Sequence, residues 1–154
     1  MQMSKQQTGK VRWMIRGDAY AVSRISKEQF RELSLSSREV VIAIKQKKTI
    51  GTVVEHEERI IGYLLMDMTT NDYCDLFSFA IEQQYERQGY GTLILAHAEK
   101  VARNLGFSRI ETVVPERKVA SQLFLAANGF RYTKSLYKFE GDADDWYLFT
   151  KEIS

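Results

Sequence analysis

The stretch ERQGYGTLIL, residues 86–95, places Gly89 and Gly91 one residue apart at the mouth of an apolar run with helical spacing. Glycine in a helix costs up to about 1 kcal/mol relative to alanine. A chain that accepts this twice within three residues needs either a special backbone turn or a close approach to its main chain. Upstream lies YCDLFSFAI, residues 73–81, whose β-branched and aromatic content reads as a strand with its end buried on both faces. Strand, loop, glycines and helix together make an anion site. The first amides of a helix lack internal partners, carry the positive end of the helix dipole and can receive a phosphate. Arg87 adds a positive charge beside them. The stretch is neither a Walker loop nor a dinucleotide fingerprint, because no Gly-Lys-Ser/Thr follows and Ile94 stands where the third glycine would be. A loop loosened by glycine ahead of an ordinary helix is the competing reading.

The rest of the chain supplies the frame. KVRWMIR (10–16) reads as a strand, and Asp18 as the cap of a short helix to about residue 25. Ser36 and Glu39 have capping-box spacing ahead of a second helix. TIGTVVEH and IIGYLLMDMTT form a hairpin around a charged turn at 57–59. The helix opened by the glycines runs over 89–104, with Leu93, Leu95, Ala96, Ala98, Val101 and Ala102 near helical spacing, and closes at Gly106. A strand over 108–114, a helix closed by Gly129, and strands at 130–139 and 144–153 around the acidic turn 140–144 complete the order βααβββαβαββ. This is a mixed α/β domain over residues 10–154, preceded by a flexible tail over 1–9.

Composition narrows the function. Of 154 residues, 44% are hydrophobic and 27% charged, as in ordinary globular domains. A net charge of +2 gives no strong bias toward nucleic acid. One cysteine, Cys74, excludes an internal disulfide and a cysteine-based zinc cluster; with two histidines a histidine-rich metal site is not expected, so no metal is. No apolar stretch approaches the roughly 18 residues of a membrane span, and the polar start lacks a signal-peptide core. A cytoplasmic protein, monomer or homodimer, without a membrane partner, is the expectation. Cys74 reads as a small buried hydrophobe, His56 as exposed and His97 as partly packed.

FAIEQQYERQGYGTLIL resembles the acetyl-CoA loop of the GNAT N-acetyltransferase superfamily, and the order of elements is similar to that fold. LFLAANGFRY resembles the family's last helix, glycine and strand, and DADDWYLFTKEI the closing strand of its ribosomal-protein-alanine N-acetyltransferase branch. The resemblance implies acetyl transfer from acetyl-CoA, as co-substrate, to a primary amine without a covalent enzyme intermediate. It implies a pantetheine arm along Phe79, Ala80 and Ile81, and a pyrophosphate cradled by Arg87, Gln88, Gly89, Tyr90, Gly91 and Thr92. The acceptor it implies is a protein or peptide N-terminus. A small amine, received by Asp142, Asp144 and Asp145, and an acetyl-CoA-binding module with little catalysis are the alternatives.

The departures are specific. Glu86 stands where the family usually has Gln or Arg, so its side chain has to point away from the pyrophosphate. The branch's general-base Glu falls on Val113, its coenzyme-contacting Asn on Lys118 and its general-acid Tyr on Leu125. Lys118 retains the reach to a phosphate. Glu111 lies on the same face as Val113, and Asp75 falls where the histone-acetyltransferase branch places its glutamate base. An acid among aromatics has a raised pKa when buried, as a base near neutral pH requires. For each carboxylate, an ion-paired or solvated strand acid is the bland alternative. Tyr137 and Tyr132 are candidate proton donors, against a default of aromatic packing.

Overall fold

The computed structural model describes residues 9–136 and 145–154. Its order is β1 (Lys10–Trp13), α1 (Ala19–Phe30), α2 (Ser37–Lys45), β2 (Thr49–His56), β3 (Arg59–Asp67), β4 (Tyr73–Ile81), α3 (Tyr90–Asn104), β5 (Arg109–Pro115), α4 (Val119–Ala127), β6 (Arg131–Leu136) and β7 (Trp146–Glu152). That is the βααβββαβαββ order expected from the sequence. The strands form one seven-stranded sheet in the order β1-β2-β3-β4-β5-β7-β6, in which only β4 and β5 run parallel. The turn expected at 140–144 lies outside the described residues.

The sheet separates two cores. On one face α1 and α2 bury Val22, Ile25 and Val40 against Val53, Tyr63, Leu65 and Ala80. On the other, α3 buries Tyr90, Ile94, Leu95, Ala98 and Ala102 against Leu64, Met66, Cys74, Leu76, Ile110 and Phe149. Each large apolar side chain so buried contributes about 1.5–3 kcal/mol. The apolar stripe of α3 is shifted from the expected one. Leu93 and Ala96 lie at the exposed edge, and Ile94 takes the inward place.

Local signals fare unevenly. Ser36 accepts from the Glu39 amide at 3.1 Å while the Glu39 carboxylate accepts from the Ser36 amide at 3.0 Å, so the capping box forms. α3 ends as expected, with Gly106 at φ +92°, its amide donating to Arg103 and that of Phe107 to Ala102. The β2–β3 turn is two residues, Glu57 and Glu58, both at positive φ, and Arg59 already belongs to β3.

The first strand stops at Trp13 rather than at residue 16, and the cause is Asp18. Its carboxylate accepts from the Ile15 amide at 2.8 Å and from the two terminal nitrogens of the Arg12 guanidinium, at 2.8 and 2.9 Å. The chain turns there through a short 3₁₀ segment, Arg16–Asp18. Asp18 therefore caps that turn, with no side-chain cap bond to α1, which runs on to Phe30. Burial alone would raise the Asp18 carboxyl, but the Arg12 and Ile15 bonds outweigh it and hold it below the usual range. A depressed carboxyl contributes stability above its unfolded pKa, and that stability is lost as pH falls through the folded value. Asp18→Ala is expected to lower unfolding free energy by about 1–3 kcal/mol at neutral pH. In urea melts the gap to wild type should narrow on acidification; a gap independent of pH would contradict this role.

Candidate active site: a splay between two parallel strands

Parallel strands share their direction but need not stay paired. β4 and β5 register over only three pairs, Tyr73–Arg109, Cys74–Ile110 and Asp75–Glu111. The Thr112 hydroxyl then donates to the Leu76 carbonyl at 2.8 Å, and no register pair follows. At the same point β4 carries an extra residue. Leu65 pairs with Ser78 and Met66 with Leu76, which leaves Phe77 unopposed and 42% exposed. The bulge exchanges the faces of the strand. Cys74 and Leu76 face α3 before it; Phe79 and Ile81 face α3 after it.

The backbone of the widened part of β4 is available on one side. The Glu82 amide bonds to the Ile61 carbonyl at 2.7 Å, so the alternation of an antiparallel ladder directs the Ala80 amide and carbonyl toward β3 and those of Phe79 and Ile81 toward the opening. Ala80 therefore offers its main chain to Tyr63, and its side chain sits in the α1–α2 core. The Ile81 carbonyl accepts from Gln29 Nε2 at 3.0 Å.

Each glycine of the opening stretch has its own cause. Gly89 is the N-cap of α3 at φ +91°, a left-handed turn that side chains resist. Arg87, two residues earlier, also has positive φ. A Cβ on Gly91 would lie 3.0 Å from the Phe124 ring, which stacks on Phe79 at 5.6 Å. Gly91 thus lets α4 close over β4 beside the splay. Gln88 Nε2 donates to the Gln84 carbonyl, and Thr92 is exposed in the first turn. Tyr90 is buried and its hydroxyl meets His56 Nδ1 at 3.2 Å. His56 is consequently packed rather than exposed; its side chain retains 15% exposure. His97 is half-packed, edge-on to Trp13.

Glu86 and Lys118 are both engaged with the end of α1. Gln29 Nε2 donates to Glu86 Oε1 at 2.8 Å. Lys118, at the start of α4, donates to the Gln29 carbonyl at 3.1 Å, across the mouth of the splay.

The two carboxylates named from sequence are register partners, and a third joins them. Asp67 of β3 pairs with Asp75, which pairs with Glu111. Direct cross-strand partners share a face, so three acids stand in a row. Burial first, then the neighbouring Asp67 and Glu111 charges, push the Asp75 carboxyl above its usual range. Glu111 is ion-paired with Arg109 at 2.8 Å. Asp67 was missed in the sequence because strand register cannot be read there. Val113 is half-buried and Leu125 belongs to the α3-side core. Cys74 is fully buried, its thiol pushed up to about 11 by desolvation and Asp67, which fits a packing role.

Of the phenols, Tyr137 lies outside the described residues. Tyr132 is exposed on β6 and bonds Ser135. Tyr147 of β7, opposite Val114, was not singled out in the sequence. Its hydroxyl meets Glu116 Oε2 at 3.4 Å, and desolvation and that carboxylate raise its pKa. Among the described residues no group of His, Cys, Asp or Glu is arranged to hold a metal, and no helix is long and apolar enough to cross a membrane.

A mixed sheet that splays beside a glycine-opened helix defines the class. The sequence model of the Acetyltransferase (GNAT) family matches residues 19–130, and the chain belongs to that family of acetyl-CoA-dependent acyltransferases. Ard1 from Thermoplasma volcanium is similar in fold, with TM-score 0.86 at 15% identity over 96% of this chain and 99% of that one. The ribosomal-protein-S18-alanine N-acetyltransferase from Escherichia coli superposes with TM-score 0.81 at 16% identity, over 95% and 94%. The PaiA N-acetyltransferase from Thermoplasma acidophilum, solved in complex with coenzyme A, gives 0.77 at 16%, over 94% and 98%. No curated sequence matches the chain significantly.

Gly89→Glu is expected to abolish the stabilisation that acetyl-CoA gives in a thermal melt, because a carboxylate would occupy the anion's place. Undiminished protection of that variant would contradict the loop assignment.

Proposed function

We propose that the protein transfers acetyl from acetyl-CoA to a primary amine, most naturally the α-amine of a protein or peptide N-terminus. The observation that carries this reading is the splay at Asp75–Glu111, which opens the sheet beside the glycine loop and leaves the acid row at its inner end. The loop residues fit a pyrophosphate: Gly89 turns left-handed, Arg87 beside it is a cation at positive φ, and the Glu86 carboxylate is held by Gln29. Arg87, Gln88, Gly89, Tyr90, Gly91 and Thr92 would hold it, with the outward amides of Phe79 and Ile81 along the pantetheine arm. Ala80 contributes through the opposite core. Lys118 would have to leave Gln29 to join them. Bound acetyl-CoA supplies an activated thioester.

The chain has three tasks. It holds the amine beside the thioester, which removes much of the entropic barrier. An outward strand amide polarises the acetyl carbonyl. Asp75 takes the ammonium proton, for which its raised pKa suits it, while Asp67 and Glu111 favour a cationic acceptor nearby. Glu111 acts from its ion pair with Arg109 as a charge rather than as the base. The proton for the departing thiolate comes from Tyr137 in this reading, or from Tyr147. The same acid row also favours a second reading, a small cationic amine as acceptor. The apolar Val113 and Leu125 support a third, a binding module with little turnover.

Thiol release from acetyl-CoA, measured with N-terminal peptides, lysine peptides and small amines, separates these. Turnover confined to free peptide N-termini is expected; binding of acetyl-CoA without turnover on any acceptor would contradict the enzyme. Asp75→Asn is expected to lower kcat by a factor on the order of 10²–10⁴. It should also remove the limb in which the rate rises with pH, because a base works only once deprotonated. An unchanged pH–rate profile would take Asp75 out of the site. The same substitution removes a repelled charge. A raised carboxyl contributes stability at low pH that is lost as pH rises through its folded pKa, so the variant should melt higher than wild type at alkaline pH.

A further inference from the structure

The coenzyme loop has an acid where an anion is to sit nearby, and the side chain that neutralises this conflict comes from a helix 57 residues away in sequence. Gln29 is in the last turn of α1 and makes three hydrogen bonds at once. Its Nε2 donates to Glu86 Oε1 at 2.8 Å and to the Ile81 carbonyl at 3.0 Å, and its own carbonyl accepts from Lys118 Nζ at 3.1 Å. The carbonyl is one of the last-turn groups that a helix leaves without an internal partner. Two further residues of α1 grip the same segment. Glu28 Oε1 accepts from the Gln83 amide at 3.2 Å, and Arg24 donates to Glu82 Oε1 at 2.9 Å. Glu82 is buried and also bound by Arg59 and Gln84, which fixes the start of the loop independently of Gln29.

We infer that Gln29 is a positioning residue for the coenzyme: it ties the Glu86 carboxylate to α1, away from the pyrophosphate, and so lets a loop with an acid three residues before Gly89 bind a polyanion. An amide side chain suits the task because its NH₂ has two donors, one for the carbonyl of Ile81 and one for the carboxylate. A lysine would meet the same acceptors as a point charge; an alanine would leave both free. A released Glu86 could swing toward the glycine turn, where its charge would oppose the phosphates. Gln29 therefore acts through Glu86, with no contact to the coenzyme required of it.

This inference rests on the acetyl-CoA reading of the loop, and a double-mutant cycle keeps the two apart. Acetyl-CoA affinity would be measured by calorimetry for wild type, Gln29→Ala, Glu86→Gln and the double variant, with melting temperatures and circular dichroism recorded for each. Gln29→Ala is expected to weaken binding about tenfold, or about 1.4 kcal/mol. The loss should grow at low salt, because it is a charge repulsion. It should appear in the KM for acetyl-CoA with little change in kcat. Glu86→Gln is expected to bind at least as tightly as wild type and, combined with Gln29→Ala, to restore affinity to within about threefold. A Gln29→Ala variant that binds like wild type overturns the inference, as does a weakened one that Glu86→Gln fails to rescue, since that is what a purely structural loss would give. A wild-type protein that does not bind acetyl-CoA overturns the coenzyme reading itself.

Discussion

The constraint on which the molecule depends is the brevity of the one parallel pairing in its sheet. Every other neighbour pair is antiparallel, and short connections join β2 to β3 and β3 to β4. β4 and β5 hold together over three residue pairs and then part. The separation leaves the Phe79 and Ile81 backbone facing an opening, and unpaired main chain in a sheet costs stability unless something else covers it. Gln29 covers the Ile81 carbonyl, Thr112 that of Leu76, and the Phe79–Phe124 stack roofs the gap. The bulge at Phe77 falls where the strands part and shifts the alternation by one residue, so Cys74 and Leu76 before it and Phe79 and Ile81 after it all face α3.

The placement of charge follows from the same geometry. A row of three carboxylates runs across β3, β4 and β5 at the inner end of the splay, and Asp75 in its middle is desolvated and flanked by two like charges. Such a group stays protonated to higher pH than an ordinary aspartate. Elsewhere buried acids are neutralised by cations, Asp18 by Arg12 and Glu82 by Arg24 and Arg59, and their carboxyls are held low. The contrast separates two uses of a buried acid. Asp18 and Glu82 fasten elements together, whereas Asp75 has no cation paired with it among the described residues.

Local rules made much of this legible. The order of elements, the capping box at Ser36, the left-handed Gly106 and the span of β4 all follow from residue types at short spacing, which the backbone reads directly. The glycine loop was recognisable because its chemistry is contained in six consecutive residues. What the sequence hid depends on register and on long-range partners. Asp67 becomes part of the site only through the pairing of β3 with β4. Glu86 is tied to α1 only through Gln29, a partner 57 residues away in sequence. Asp18 looked like a cap for α1 because it precedes that helix, but a guanidinium six residues upstream and the Ile15 amide claimed its carboxylate first. Gly91 was read as an approach for phosphate, and the Phe124 ring supplies a packing reason that no local pattern contains.

The central claim is that the opening between β4 and β5, continued by the first turn of α3, receives the coenzyme. Amide hydrogen exchange with and without acetyl-CoA tests it most directly. The account predicts slowed exchange confined mainly to residues 77–92 and the start of α4. Unchanged exchange through that segment, with protection on the α2 face or at the β1 edge instead, would contradict it.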